Sequence, residues 1–439
     1  MSKGGVFLEH NRCFTNFARY CTLNVLGMLA LSCYVLADTF FVANGLGANG
    51  LTALNLAIPV YSFIHGSGLL LGMGGATRYS IAVHQGRDRE GSAAFTHTLA
   101  GSGVLALVFV SLGLFASYGL TRLLGADQTV FSMTHTYIQV LLLFSPAFLL
   151  NDVLLCFVRN DGAPQRAMAA MVTGSLANIL LDYIFIFPLN MGIFGAVLAT
   201  GLAPIISIGI LSPFFRKKEN RFHLIVRPPS PALLGDIFGA GLPSLVTEIS
   251  SGVVMIAFNQ IILGLQGNLG VAAYGVVANL SLVVLAIYTG IAQGVQPLLS
   301  QYFGAGQESH LRSTLRYGVI TVLLLSALLY MILFLGADPI AALFNRDRDP
   351  RLQTMAAEGL KHYFLACPFA GWNILLSVHF TSTDTPRPAH AISLLRGFLL
   401  ILPLSFLLSA LGGMTGLWLT FPATEGLVAL LALFFFWTH

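Results

Sequence analysis

The sequence predicts an all-α integral membrane protein: twelve transmembrane helices in two six-helix lobes, related by a pseudo-two-fold axis along the membrane normal. Three observations carry this. Of the 439 residues 56% are hydrophobic and only 9% charged, against about 25% charged in a soluble domain. The apolar residues fall into runs of span length, since ~20 residues cross a bilayer. And the second half of the chain repeats the first.

Breaks at Gly, Pro and charge clusters delimit twelve spans: 14–43, 51–82, 95–119, 132–157, 166–188, 193–214, 234–264, 271–301, 313–336, 355–382, 388–410 and 415–438. "NGLGANG" ends the first, and "HQGRDREG" separates the second from the third. "GADQT" follows the third, "NDGAPQR" the fourth and "PLNMG" the fifth. The basic stretch "FRKKENRFHLIVRPPS" (215–230) follows the sixth and marks the joint between halves. The expected organisation is an N-terminal lobe 1–214, a cytoplasmic linker 215–233 and a C-terminal lobe 234–439. Several runs exceed the span minimum, so tilts, kinks or protruding ends are expected.

Loop charges set the orientation. With the N-terminus in the cytoplasm, the inner segments hold Lys3, Arg12, Arg78, Arg87, Arg89, Arg159, Arg166, Arg216, Lys217, Lys218, Arg221, Arg227, Arg312, Arg316 and Arg387. The outer ones hold Arg122, Arg346, Arg348, Arg351 and Lys361. Both termini are therefore expected inside a multi-pass cytoplasmic (inner) membrane protein. The start is polar and no signal peptide is evident.

The repeat is read without gaps. "PAFLLNDVLLCFVRNDGAPQRAMA" (146–169) aligns with "PFAGWNILLSVHFTSTDTPRPAHA" (368–391), pairing Pro146 with Pro368, Asn151 with Asn373, Pro164 with Pro386 and Ala169 with Ala391. "GMGGATRYSIAVHQG" matches "GIAQGVQPLLSQYFG" in the same order at nearly the same offset. Six spans per repeat make the halves parallel, and parallel repeats place a substrate path between them.

Polar residues inside spans point to function, because an acid at a helix centre costs ~2.5–3.5 kcal/mol on insertion scales. Asp38 ("VLADTFF"), Asp182 ("ANILLDYIF") and Glu248 ("SLVTEISS") stand out, whereas Asp152 and Glu425 read as nearer polar or helix-end positions. Asn178 and Asp182 share a helix face at i and i+4, and Thr200 follows on the next helix. Oxygens of this kind suit a hard monovalent cation, and two carboxylates in a dry pocket suit a proton. The repeat sharpens the reading: Asn178 maps to Leu400, Asp182 to Leu404, Thr200 to Phe421 and Asp38 to the vicinity of Phe258 and Asn259. Candidates for a substrate cavity are Glu248, Asn151, Asn279, Asn373 and Gln293. Arg396 reads as snorkelling to the interface. His65, His97 and His379 read as structural, and the five cysteines as small buried hydrophobes.

In these same stretches the chain resembles the multidrug and toxic compound extrusion (MATE) transporters, over essentially its whole length. The resemblance lies in "ADTFFVANGLG", in "GAPQRAMAAMVTGSLANILLDYIFIF" with "GIFGAVLAT", and in "GVAAYGVVANLSLVVLAIYTGIAQGVQPLLSQYFGAG". It implies a V-shaped fold around a central cavity and export of amphipathic, often cationic, compounds driven by Na+ or H+ entry. It also implies a cation site in the N-terminal lobe at Asp38, Asn178, Asp182 and Thr200, with the backbone carbonyl of Ala196. In two respects the chain departs from the pattern: residues 14–43 lack the proline that bends the first helix of some members, and Glu248 stands about a turn from their seventh-helix acid.

The expected activity is therefore a cation-coupled antiporter of lipophilic cations, with no cofactor beyond the coupling ion, no metal beyond Na+ at that site, and a monomer in lipid. The rivals are a flippase for a lipid-linked precursor and a specific-metabolite exporter. No basic run interleaved with aromatics suggests nucleic acid. The chain is expected not to be an enzyme, as it carries no HExxH, GxSxG or DxD motif.

Overall fold

The computed structural model describes residues 3–216, 219–226, 228, 230–345 and 348–438, with side chains from residue 12 onward. Lys217, Lys218, Arg227 and Arg346, used above for orientation, lie outside the described residues, as does the side chain of Lys3. Every regular element among the described residues is helical.

Among the described residues eight helices are long and apolar enough to cross a membrane, and a bent pair, Phe131–Leu143 with Ser145–Asn160, makes a ninth span with a 49° bend. Three of these helices are themselves double, which brings the spans to the expected twelve. Lys3–His84 breaks at Gly47 (φ 67°, ψ −161°), Pro231–Gly304 at Gly267 (φ 63°, ψ −155°) and the last at Gly413 (φ 57°, ψ −133°). Such backbone angles are essentially glycine's alone, so one Gly turns each pair of spans.

The repeat seen in the sequence is also written in the backbone. Gly47 and Gly267 have nearly the same angles, and left-handed φ recurs at Gly86 and Gly306, at Gly162 and Asp384, and at Gly192 and Gly413. Corresponding turns close in the same way in both halves.

The chain divides into two compact units. One comprises residues 26–249 and 300–307; the other comprises 1–25, 250–299 and 308–439. The first and seventh spans contribute to both units.

In the first unit the fifth and sixth spans, Pro164–Ile186 and Gly192–Arg216, pack closely along their length. Small residues allow it: a Cβ on Gly174 would lie 3.2 Å from the Ala203 carbonyl, and one on Gly195 only 2.9 Å from the Cβ of Phe185. Close approach through small residues is how membrane helices gain packing without a hydrophobic drive. It sets Asn178 and Asp182 against Thr200.

The stretch after the sixth span is laced to this unit. Phe222 is buried in an aromatic cluster with Tyr79, Phe95, Phe157, Phe214 and Phe215. Backbone N–H groups of Arg221, His223, Ile225 and Ser230 donate to Asp161, Ser92, Thr96 and His97. His97 Nδ1 faces the Ala93 carbonyl at 2.8 Å, so its Nε2 is the acceptor for Ser230. The structural role expected of His97 is what it performs. Asp161 also accepts from Tyr79 at 2.5 Å, and its burial pushes the carboxyl above the usual carboxylate range.

Candidate functional site

Asp38, Asn178, Asp182, Ala196 and Thr200 come together inside the first unit, all of them buried. The Asn178 amide, turned to satisfy both its atoms, donates to Asp182 Oδ2 at 3.0 Å and accepts the Thr200 N–H at 3.3 Å. Thr200 Oγ1 donates to the Ala196 carbonyl at 3.1 Å. Asp38 lies close enough for its charge to act on Asp182. A run of oxygens thus passes from the fifth span to the sixth, within electrostatic range of Asp38 on the first.

Two atoms in it are unsatisfied. Asp38 Oδ1 and Asp182 Oδ1 are buried without a hydrogen-bond partner. An orphaned buried acceptor costs ~1–3 kcal/mol, and more when charged. Two hard carboxylate oxygens, an amide, a hydroxyl and a backbone carbonyl are the donor set that oxygen-binding cations use, so the residues present fit a small cation or a proton.

Sequence reasoning passed over Tyr137, whose hydroxyl bonds Thr200 and which lies within reach of both aspartates. It also passed over Tyr34, a turn from Asp38, whose hydroxyl meets that of Tyr61 at 2.7 Å. Buried tyrosines in apolar spans have no pattern that separates them from packing residues.

The substrate-cavity candidates are divided between the two units. Glu248 and Asn151 belong to the first unit, and Asn279, Asn373 and Gln293 to the second. Glu248 stands beside His65 and Asp152: His65 Nδ1 and Asp152 Oδ2 are 2.9 Å apart, and Glu248 acts electrostatically on His65. Asp152, read as nearer a polar or helix-end position, instead lies buried inside Ser145–Asn160 with His65, read as structural, as its partner. The two meet across helices, which local spacing cannot register. One signal was available: at the repeat offsets, His65 falls among Val283, Val284 and Leu285, and Asp152 on Ile374. The asymmetry that singled out Asp182 singles out this pair too.

Asn373 is committed elsewhere. Its Nδ2 donates to Glu425 Oε2 at 2.7 Å and to the Glu425 carbonyl at 2.9 Å, while Arg396 grips Glu425 Oε1 at 3.0 Å through Nε and 2.7 Å through its terminal nitrogen. Arg396 does not snorkel, and Glu425, 1% exposed, is not at a polar helix end. The reason is local: residues 395–399 form a π-helical turn, a bulge that re-aims side chains, here with Arg396 directed inward.

A family model described as MatE matches residues 25–184 and 243–407 of this chain. The chain is 24% identical over 429 residues to the multidrug export protein MepA of Staphylococcus saprophyticus, covering 97% of this chain and 94% of that one. It is 25% identical over 430 residues to MepA of Staphylococcus haemolyticus, covering 98% and 94%. Among solved structures, it superposes with a TM-score of 0.89 on an outward-facing multidrug resistance MATE family transporter of the MOP superfamily, at 23% identity over 96% of this chain and 94% of that one. The TM-score is 0.88, at the same identity and coverage, with a MOP superfamily transporter from Pyrococcus furiosus whose binding pocket is described as reversed in polarity.

Proposed function

The chain belongs to the MatE family, and on that premise we propose that it is a multidrug exporter of the cytoplasmic membrane, an antiporter that expels amphipathic cations as Na+ or H+ enters. The lobes are residues 1–214 and 234–439, with the linker 215–233 and both termini in the cytoplasm. The MepA relatives named as multidrug export proteins support the substrate class. The observation that carries the coupling is the pair of buried, unsatisfied oxygens at Asp38 Oδ1 and Asp182 Oδ1.

The physical logic is differential binding. Two carboxylates in a dry site repel one another, and a cation between them removes both the repulsion and the unmet acceptors. To move a carrier from 1:99 to 99:1 between two states, the ion must prefer one of them by ~5.5 kcal/mol. Asp38 and Asp182 stand on different spans, so drawing them together on an ion changes how the first span packs against the fifth. Asn178, Thr200 and the Ala196 carbonyl hold the remaining positions around the ion, and Tyr137 orients Thr200.

The flippase alternative requires basic groups to meet an anionic substrate. Only Arg19 and Arg396 are candidates for that role in the sequence, and Arg396 is already bonded to Glu425. The reversed pocket polarity ascribed to the Pyrococcus furiosus transporter is a property of that protein.

Transport into liposomes tests the reading. Purified protein is given a fluorescent lipophilic cation under a Na+ gradient or a pH gradient, imposed separately, with Asp182→Asn beside the wild type. Uptake driven by one gradient and lost in the variant is expected. Transport that survives Asp182→Asn unchanged removes the ion site.

A further inference from the structure

The pair His65–Asp152 has no task in the scheme above. It is built with care nonetheless. The two groups meet at 2.9 Å with side-chain exposures of 15% and 6%. Asp152 is seated in a space that only glycine leaves open, since a Cβ on Gly68 would lie 2.4 Å from Asp152 Oδ2 and one on Gly72 2.9 Å from the Asp152 carbonyl. Glu248 is admitted by the same device, a Cβ on Gly66 reaching to 3.0 Å from its own Cβ.

The glycines bring three spans, the second, fourth and seventh, within reach of one imidazole. As a stabilising device such a pair is poor, because the desolvation of two charges commonly cancels their attraction. As a place to hold and release a proton it is apt, because imidazole is the side chain that changes charge near neutral pH.

We propose that His65, Asp152 and Glu248 form a second proton-binding site in the first compact unit, separate from Asp38 and Asp182, whose proton is exchanged for a cationic substrate. The proposal rests on the antiporter reading for its substrate. The charges balance. For the state in which both carboxyls are ionised, the three groups carry one net negative charge with His65 protonated and two with His65 neutral. A lipophilic cation arriving beside Glu248 restores the single negative charge as the proton leaves His65, whose side chain is 15% exposed, for solvent.

The other groups facing the pair are few. Tyr61 stacks on His65 at 5.8 Å and bonds Tyr34, which carries the line toward Asp38 and Asp182. A turn along the fourth span from Asp152 lies Cys156, which Arg159 contacts at 3.6 Å. The excess of carboxylate over imidazole gives the site its preference for cations.

The test separates this site from the first. Purified full-length protein is mixed with tetraphenylphosphonium in weakly buffered solution containing a pH indicator. The Asp38→Asn/Asp182→Asn double variant releases protons as the probe binds, and adding His65→Gln removes that release. Equal release from the double and triple variants overturns the proposal. If no form binds the probe, it is the substrate reading that falls, and the proton site is then decided by histidine NMR of the same full-length protein. The His65 resonance, identified by its loss in His65→Gln, titrates with a midpoint that moves in Asp152→Asn. A resonance that does not titrate, or a midpoint that Asp152→Asn leaves in place, overturns it.

Discussion

Each repeat buries a polar cluster, and the two are built on opposite principles. In the N-terminal half Asp38 and Asp182 bring two carboxylates together with an amide and a hydroxyl, and two of their oxygens stay unmet. In the C-terminal half Glu425 meets Arg396 through two nitrogens and Asn373 through a third, within a cluster that carries its own cation. By sequence offset the clusters nearly coincide, for Leu400 answers Asn178 one turn after Arg396, and Phe421 answers Thr200 one turn before Glu425. The difference teaches what each half needs from outside. The C-terminal cluster pairs its own charges, Arg396 with Glu425, and leaves only a neutral amide oxygen, Asn373 Oδ1, unmet. The N-terminal cluster leaves two carboxylate oxygens unmet, and under the proposed coupling an added cation completes it.

The contrast breaks most sharply at Arg396. Replacing it with leucine strands a buried carboxylate and should cost about 3–5 kcal/mol, seen as a large drop in Tm, whereas Arg396→Leu/Glu425→Leu should regain most of the loss. Equal losses in the single and double variants would mean that the pair is not the cluster's main bond. Asp182→Asn should behave oppositely, removing a repulsive charge and leaving Tm in cation-free conditions unlowered while transport is lost.

Packing beneath the N-terminal cluster sharpens the comparison next. Gly201→Ala presses a methyl into the Phe144 ring at 2.5 Å, a strain of about 1–3 kcal/mol. It should weaken coupled transport beyond its effect on Tm, because it spreads the span that holds Thr200. Loss of stability with unchanged coupling would show that the exact helix spacing is unimportant to the site.

The smallest effect is expected at Asp127, in the loop before the fourth span. The Thr129 hydroxyl, with the Val130 and Thr129 N–H groups, holds its carboxyl below the usual range. A folded value below the unfolded one gives stability that is present above the unfolded pKa and lost as pH falls through the folded one. Asp127→Ala should therefore lower Tm slightly at neutral pH and not at strongly acid pH. A pH-independent difference would assign the effect to something other than the carboxylate.

What the sequence disclosed follows from what one chain position can reveal. Apolar length announces spans, and a lone Asp38 or Asp182 in hydrocarbon announces itself by its cost. The Asn178–Asp182 spacing lies within one helix and was legible for that reason. His65–Asp152 and Arg396–Glu425 are made between helices that only folding brings together, and the π-helical turn that aims Arg396 inward has no signature in "LLRGF". The glycines were visible, but Gly47, which reverses the chain, and Gly68, which seats a carboxylate, are the same letter.

The central claim is that the N-terminal cluster, and not the C-terminal one, is finished by an external cation. The most direct measurement is the Tm of the purified protein as sodium ion and pH are varied, in wild type, Asp182→Asn and Arg396→Leu. A cation that binds only the folded state stabilises by about 2.7 kcal/mol at a hundred times its Kd. The account predicts that wild type and Arg396→Leu respond to sodium ion or to pH by similar amounts from different starting points, while Asp182→Asn loses that response. An Asp182→Asn protein that responds as fully as the wild type would contradict it.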